Sequence, residues 1–210
     1  MLLTHSLVGF SWSVKWSFAR LNSSTRLPRR WFPFTDEERA TLKFVNNRLY
    51  LHKVLRINYT SYDMKQEQDS LNPRTHANIM MLSHDDDSNR HPYWYAQIIG
   101  LFHVVVCHPS SINPLKFDVI RVRWYGKDPD SRYKSGWRTH HLPRVGFVEY
   151  TEDDSSSPAF GFVNPEHIIR GVHLIPAFHH GVTNELLPPS NSARLPSEGD
   201  IDFNFFYMNM

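Results

Sequence analysis

Two long runs of aromatic and β-branched residues restrict the fold of this chain more than any other feature. Residues 93–108 read YWYAQIIGLFHVVVCH, and residues 117–125 read FDVIRVRWY. These residue types fit a pleated, half-buried surface, so both runs predict β-strands. The proline-containing segment between them, residues 109–114, allows the strands to pair as an antiparallel hairpin. We therefore expect a mainly β protein with minor α content and this hairpin at its core.

A glycine and an alternating pattern refine this prediction. Gly100 lies in the middle of the first run, where a glycine indicates a β-bulge or a sharp bend. Such a bend lets a small sheet curl into a β-barrel. The second run alternates, which predicts that Ile120, Val122 and Trp124 face inward and that Val119 and Arg123 lie on the other side.

One helix is predicted before the strands. Thr35 and Glu38 match a capping box, in which each side chain accepts a hydrogen bond from the backbone N–H of the other residue. The helix that follows is expected to end near Asn46 or Asn47. Shorter strands are predicted at residues 54–64, 79–82, 159–163 and 171–176.

These elements divide the chain into four predicted segments. They are an irregular extension at residues 1–27, a basic helix-containing segment at 28–66, the barrel domain at 67–178 and an irregular tail at 179–210. The tail ends in the aromatic sequence DFNFFYMNM. Two interpretations of this ending stay open: a truncated reading frame, or docking onto the core by Phe203, Phe205, Phe206 and Tyr207.

Basic residues are concentrated near the N-terminus. Residues 1–60 carry ten Lys and Arg against three acidic residues, a charge of +7, which leaves −5 for the rest because the whole chain is +2. This distribution is typical of a nucleic-acid-facing arm, although a solvated arm without a ligand has the same composition. The candidate nucleic-acid contacts are Arg26, Arg29, Arg30, Arg39, Lys43, Arg48, Lys53 and Arg56.

Aromatic side chains form a second candidate surface. They make up 14 % of the chain, and several lie at predicted strand edges and loop mouths. Such side chains can form a cage around a methylated or otherwise cationic lysine, or platforms on which bases stack. The alternative is that they belong to the core. The candidates are Tyr93, Tyr95, Trp124, Tyr125 and Trp137.

Catalytic and metal signatures are not recognisable in the sequence. The single cysteine, Cys107, follows three valines and is predicted to be a buried, inert thiol. His103 and Cys107 would share a strand face but lie roughly 13 Å apart, too far for one ion. We therefore predict no catalytic residue, no metal ligand, no cofactor and no small-molecule substrate, with a metal-dependent nuclease or transposase remnant as the minor alternative.

The cysteine count and hydropathy also bear on the compartment. One cysteine permits no intrachain disulfide, so an oxidising compartment offers this chain no advantage. There is no good signal peptide and no apolar stretch of about 18 residues. These features predict a nuclear or cytoplasmic protein without membrane contact.

The order of the predicted strands resembles that of a bromo-adjacent homology (BAH) domain. The segments that carry the resemblance are HPYWYAQIIGLFHVVV, FDVIRVRWYG and FGFVNPEHIIRGVHLIPAF, within residues 91–178. The resemblance implies a curled β-barrel that contacts chromatin and other proteins.

A second resemblance covers residues 28–210. PRRWFPFTDEERATLKFVNNRLYLHKVLRINYTSYDMKQEQDSLNPRTHANIM and GVHLIPAFHHGVTNELLPPS are similar to segments of fungal DNA transposons of the Plavaka and Kyakuja-Dileera-Zisupton kind, related to CACTA elements. It implies a domain that trails a transposase catalytic core, whose RNase-H-like fold is not recognisable here. We therefore expect a non-enzymatic interaction module that contacts chromatin protein or a transposase core. A direct nucleic-acid-binding accessory domain and a decayed element without selected function are the alternatives.

Overall fold

The computed structural model describes residues 43–82, 93–107, 112–128, 142–151, 159–190, 193–194 and 199–209. Within these ranges the chain forms three antiparallel sheets and two short 3₁₀ turns, Pro165–His167 and Phe178–His180. The mainly β class is therefore confirmed. The strands are β1 (Lys43–His52), β2 (Leu55–Thr60), β3 (Gln66–Leu71), β4 (Asn78–Leu82), β5 (Tyr93–Cys107), β6 (Leu115–Lys127), β7 (Arg144–Phe147), β8 (Phe160–Val163), β9 (Ile168–Gly171), β10 (His173–Pro176), β11 (Val182–Thr183), β12 (Asp202–Phe203) and β13 (Phe206–Asn209).

The predicted hairpin is formed by β5 and β6. Ile98 is paired with Val122 and Gly100 with Arg121, so Ile99 has no opposite residue. This is a β-bulge at the position that Gly100 predicted. The bulge shifts the register of β5 between its two halves.

The largest sheet has nine strands around this hairpin. Its path runs β10-β13-β7-β6-β5-β4-β9, with β1 added to β5 and β8 added to β6. The path is open, so a closed barrel is not confirmed. Its two end strands, β9 and β10, are nevertheless consecutive in the chain. Only Val172 separates them, and its N–H donates to the Asn78 carbonyl at 3.0 Å.

Both sides of the hairpin are buried. Ile120 and Val122 are 1 % and 0 % exposed, and the half-buried Trp124 packs against the same cluster, as predicted. On the other side Val119 is 2 % exposed, although alternation placed it away from the interior. Side chains from β1 and β8 cover that second side. Alternation within one strand shows which side chains share a face of the sheet. Whether the opposite face is also buried depends on tertiary packing.

The predicted N-terminal helix is wrong in the part that the structure describes. Residues 43–47 lie in β1, which pairs with β5, whereas residues 35–42 lie outside the described ranges. Asn46 and Asn47 have φ angles of 54° and 50°, and the register shifts between Phe44 and Leu49. Asparagine tolerates this left-handed conformation better than most residues. Pairing with the long central strand thus overrides the local helix signal.

The aromatic ending docks onto the sheet. β13 lies between β10 and β7, and Met208 is 2 % exposed. Phe206 contacts the rings of Tyr125 and Phe147 edge-on, with centroids 5.6 and 5.7 Å apart. The docking interpretation of the segment is therefore confirmed.

A buried ionic cluster joins this segment to the hairpin. Asp202 accepts hydrogen bonds from both terminal nitrogens of Arg123 at 3.0 and 2.9 Å, and from both of Arg194 at 2.6 and 2.8 Å. All three residues are buried, and the Arg123 guanidinium also lies 3.8 Å from the centre of the Phe147 ring. Arg123 was expected on the outward side of β6, but this carboxylate compensates its charge inside the protein.

Replacing Asp202 by Asn should destabilise the fold by about 3–5 kcal/mol, because two guanidinium groups lose their buried counterion.

Burial raises the pKa of the Asp202 carboxyl, but the hydrogen bonds from Arg123 and Arg194 outweigh burial and lower it overall. Its stabilising effect is therefore complete above its unfolded-state pKa of about 3.9 and is lost as the pH falls further. Urea unfolding from pH 7 to pH 2 should show a smaller loss on acidification in D202N than in the wild type. D200N, at an exposed position, is the control. Equal pH dependence in D202N and the wild type would contradict this assignment.

Two glycines paired across β6 and β7 offer a second test of the packing. A Cβ on Gly146 would approach the backbone oxygen of Asn204 to 2.6 Å, whereas one on Gly126 would meet only the Val148 side chain at 3.5 Å. Gly146→Ala should therefore destabilise the protein by about 1–3 kcal/mol. Gly126→Ala should change stability by less than about 1 kcal/mol. The free energy of unfolding, measured in urea, compares the two, and similar values would argue against the close approach of residue 204.

Candidate binding site at the end of the central hairpin

The predicted aromatic residues do not converge on one surface. Tyr95 and Tyr125 are paired and buried, and the Tyr125 ring stacks on Phe147 at 4.4 Å. Tyr93 packs against the same cluster, whereas Trp124 packs against a different one. Trp137 lies outside the described residues. Burial, with a smaller effect of Tyr93, raises the pKa of Tyr95 to about 12, so this phenol is neutral at physiological pH.

The predicted basic residues that the structure describes are exposed. Lys43 and Arg48 lie on β1, Lys53 follows it, and Arg56 lies on β2. Strands rather than a helix present them to solvent. The other candidates, Arg26, Arg29, Arg30 and Arg39, lie outside the described ranges.

Three polar side chains meet where β1, β5 and β6 run side by side. His103 on β5 is directly opposite Asp118 on β6 and opposite Tyr50 on β1. His52, two residues beyond Tyr50, lies on the same face. The Nε2 atom of His52 is 2.6 Å from the Nδ1 atom of His103. One ligand atom from each of His52, His103 and Asp118 lies within 4.8 Å of the other two.

This polar cluster continues the face that forms the core. Along β6, the face that carries Asp118 next carries Ile120 and Val122, which are buried. The β2–β3 hairpin contributes Leu55 and Ile57 to the cover over that apolar part. The face thus changes from apolar to polar along the strands, and its polar end is open to solvent.

Neighbouring groups orient and tune His103. The Tyr50 ring stacks on it at 4.5 Å with an interplanar angle of 7°, and Lys116 pairs with Asp118 at 3.3 Å. Burial, followed by the charges of Lys116 and His52, lowers the pKa of His103, while Asp118 acts in the opposite direction. A neutral imidazole with a fixed ring plane can accept a hydrogen bond or bind a metal ion.

A small groove of about 170 Å³ lies beside this cluster. His52 and Asp118 supply its polar part, and the rest of its wall is apolar. It occupies the space between the start of β2, the bulged part of β5, β6 and the first 3₁₀ turn. The residues that line it are His52, Val54, Leu55, Leu101, Phe102, Asp118, Val119, Ile120 and Pro165.

The prediction of no catalytic residue and no metal ligand did not anticipate this convergence. That prediction considered His103 and Cys107 along one strand, whereas the structure brings together residues from three neighbouring strands. The prediction of a buried thiol is also wrong, because Cys107 is exposed. It is the last residue of β5, and it alternates with the buried Val104 and Val106. Histidine and aspartate positions alone could not identify the cluster, since the register of β1 was unknown.

No family model, curated protein or solved structure matches this chain. Neither family resemblance is therefore supported by these comparisons, and the site must be interpreted from its own chemistry. Among the described residues, no helix has the length and apolar character needed to cross a membrane.

Lys116→Gln should raise the pKa of His103, because a nearby cation disfavours the imidazolium form. Asp118→Asn should lower it further, because a stabilising carboxylate is lost. An NMR titration of the His103 ring in the presence of a chelator measures both changes. Lys127→Gln, at an exposed position near the other end of β6, is the control. An unchanged or lower pKa in K116Q would contradict the electrostatic role of Lys116.

Proposed function

We propose that this protein is a non-enzymatic interaction module that binds a protein partner through the groove at the end of the central hairpin. The observation that carries this proposal is the size and lining of the groove. Its volume of about 170 Å³ is below the roughly 300–1,000 Å³ of most small-molecule sites. It is large enough for one apolar side chain of a partner.

The surroundings of the groove indicate the chemistry of that partner. Val54, on its wall, is 51 % exposed. Lys53 and Arg56 flank the groove residues Val54 and Leu55 in sequence and are exposed. The acidic wall residue, Asp118, is paired with Lys116, so exposed apolar side chains with two further cations next to them in the chain favour an acidic segment with one apolar anchor.

The two family resemblances extend this proposal. We propose a BAH-like, small curled β-barrel of transposon origin, acting in the nucleus on chromatin protein or a transposase core. The order of a long strand, a second strand that contains VRWYG, a short turn and a further strand supports this proposal. The exposed cations favour an acidic region of such a partner over a basic one.

Nucleic-acid binding is the second candidate function. Lys43, Arg48, Lys53 and Arg56 are exposed along β1, β2 and their connection, and phosphate groups are the ligands that such cations bind most generally. This surface would act without the groove. The two functions therefore differ in which variants abolish binding.

A pair of matched valine variants tests the protein-binding proposal. A short acidic peptide with one central Leu should bind more tightly than the same peptide with Ala, by about 1–2 kcal/mol or roughly 5- to 30-fold, because the groove removes apolar surface from water. Val54→Gln should abolish this preference. Val182→Gln should not, although Val182 is equally exposed, at 52 %, on another sheet. Fluorescence anisotropy with a labelled peptide measures both.

A DNA duplex distinguishes the second candidate. Nucleic-acid binding is favoured if the duplex binds and V54Q leaves its affinity unchanged. Binding should then weaken, and its salt dependence should fall, when the exposed cations are replaced by Gln. These cations are Lys43, Arg48, Lys53 and Arg56. Equal affinity for the Leu and Ala peptides in the wild type would refute the groove as the binding site.

A further inference from the structure

We propose that His52, His103 and Asp118 form a binding site for a divalent cation of the zinc type. Two imidazoles and one carboxylate are donors that zinc and similar transition metals accept, whereas magnesium and calcium prefer oxygen donors alone. The three ligand atoms lie within 4.8 Å of one another. This inference goes beyond the proposed function and does not depend on it.

The sheet holds the three ligands in place before any ion binds. Each ligand comes from a different strand, and the pairing of His103 with Asp118 and with Tyr50 fixes the register of β5 against β6 and β1. Little backbone ordering would therefore accompany binding. Moreover, Tyr50 stacks on the His103 ring at 4.5 Å and restricts its rotation. Such contacts around a ligand orient it for the metal.

The distances fit an ion with a small adjustment. His52 Nε2 and His103 Nδ1 are 2.6 Å apart, which means that one nitrogen donates a proton and the other offers its lone pair. Around a tetrahedral zinc ion with Zn–N distances of about 2.0–2.1 Å, two such nitrogens would be roughly 3.4 Å apart. Transfer of the shared proton to the other ring nitrogen of the donating imidazole, together with a shift of less than about 1 Å, would admit the ion.

The competing ion pair is weak. Lys116 contacts Asp118 at 3.3 Å, but both side chains are more than half exposed, at 56 % and 55 %. Exposed pairs of this kind contribute little free energy. A divalent cation between two imidazoles would therefore displace the ammonium group from the Asp118 carboxylate.

Three protein ligands leave a position open in a tetrahedral site. His52 and Asp118 also line the groove of about 170 Å³, so an ion held by them would lie beside its polar end. A water molecule or a donor atom of a bound partner would complete the coordination. Sites with three protein ligands and one exchangeable ligand are those in which zinc binds or activates small groups.

Titration with Co²⁺ tests this site, because its visible absorption reports ligand type and geometry. The full chain, freed of metal with a chelator, should bind one tight equivalent that Zn²⁺ displaces. His52→Ala and Asp118→Asn should each weaken binding by about 10-fold or more, since the loss even of groups that orient a ligand has effects of this size. Both side chains are exposed, so the variants should fold, which circular dichroism can verify.

Controls distinguish this site from the other histidines and from the thiol. His173→Ala, at an exposed position on β10, and Cys107→Ser should bind Co²⁺ as the wild type does. Zn²⁺ should raise the melting temperature of the wild type but not that of H52A. Wild-type affinity in H52A and D118N, or loss of binding in C107S, would overturn the proposal. V54Q should retain Co²⁺ binding, so failure of the groove proposal and of this one can be told apart.

Discussion

The pairing of β5 with β6 is the interaction on which the rest of the structure depends. Eleven residue pairs join the two strands, interrupted by the bulge before Gly100. On the edge away from the hairpin partner, each long strand pairs with two shorter strands. β5 pairs with β4 and β1, and β6 pairs with β7 and β8. Every other strand of the nine-stranded sheet is therefore hydrogen-bonded to this hairpin, either directly or through intervening strands.

The same hairpin explains where the candidate site lies. One of its faces is apolar near the bulge and polar farther on, and the β2–β3 hairpin contributes to the cover of the apolar part. The boundary between the two parts forms a groove with hydrophobic walls and a His52–Asp118 rim. The proposed binding site therefore lies at the edge of the core, on strands that pairing with their neighbours holds in register. Rigid elements hold ligand groups more accurately than loops do.

The sequence predicted the elements whose signal is local. Residue types and alternation identified β5 and β6, and Gly100 marked the bulge. Apart from the exposure of Cys107, which follows from alternation along β5, the predictions that failed depend on distant partners. Pairing with β5 made a strand of residues 43–47, Asp202 allowed Arg123 to be buried, and the register of β1 brought His52 to His103. A single sequence does not encode such pairings in its local pattern, so neither the cluster nor the groove could be predicted from it.

The position of β13 has a consequence for the synthesis of this protein. Among the described strands it is the last to leave the ribosome, yet it lies between β7 and β10 within the sheet. Until then those two strands have no common partner, and Arg123 has no Asp202 to neutralise it. The nascent chain therefore holds an incomplete sheet until β13 has been made, and a premature stop before Asp202 should yield a product that chaperones and proteases recognise as unfinished.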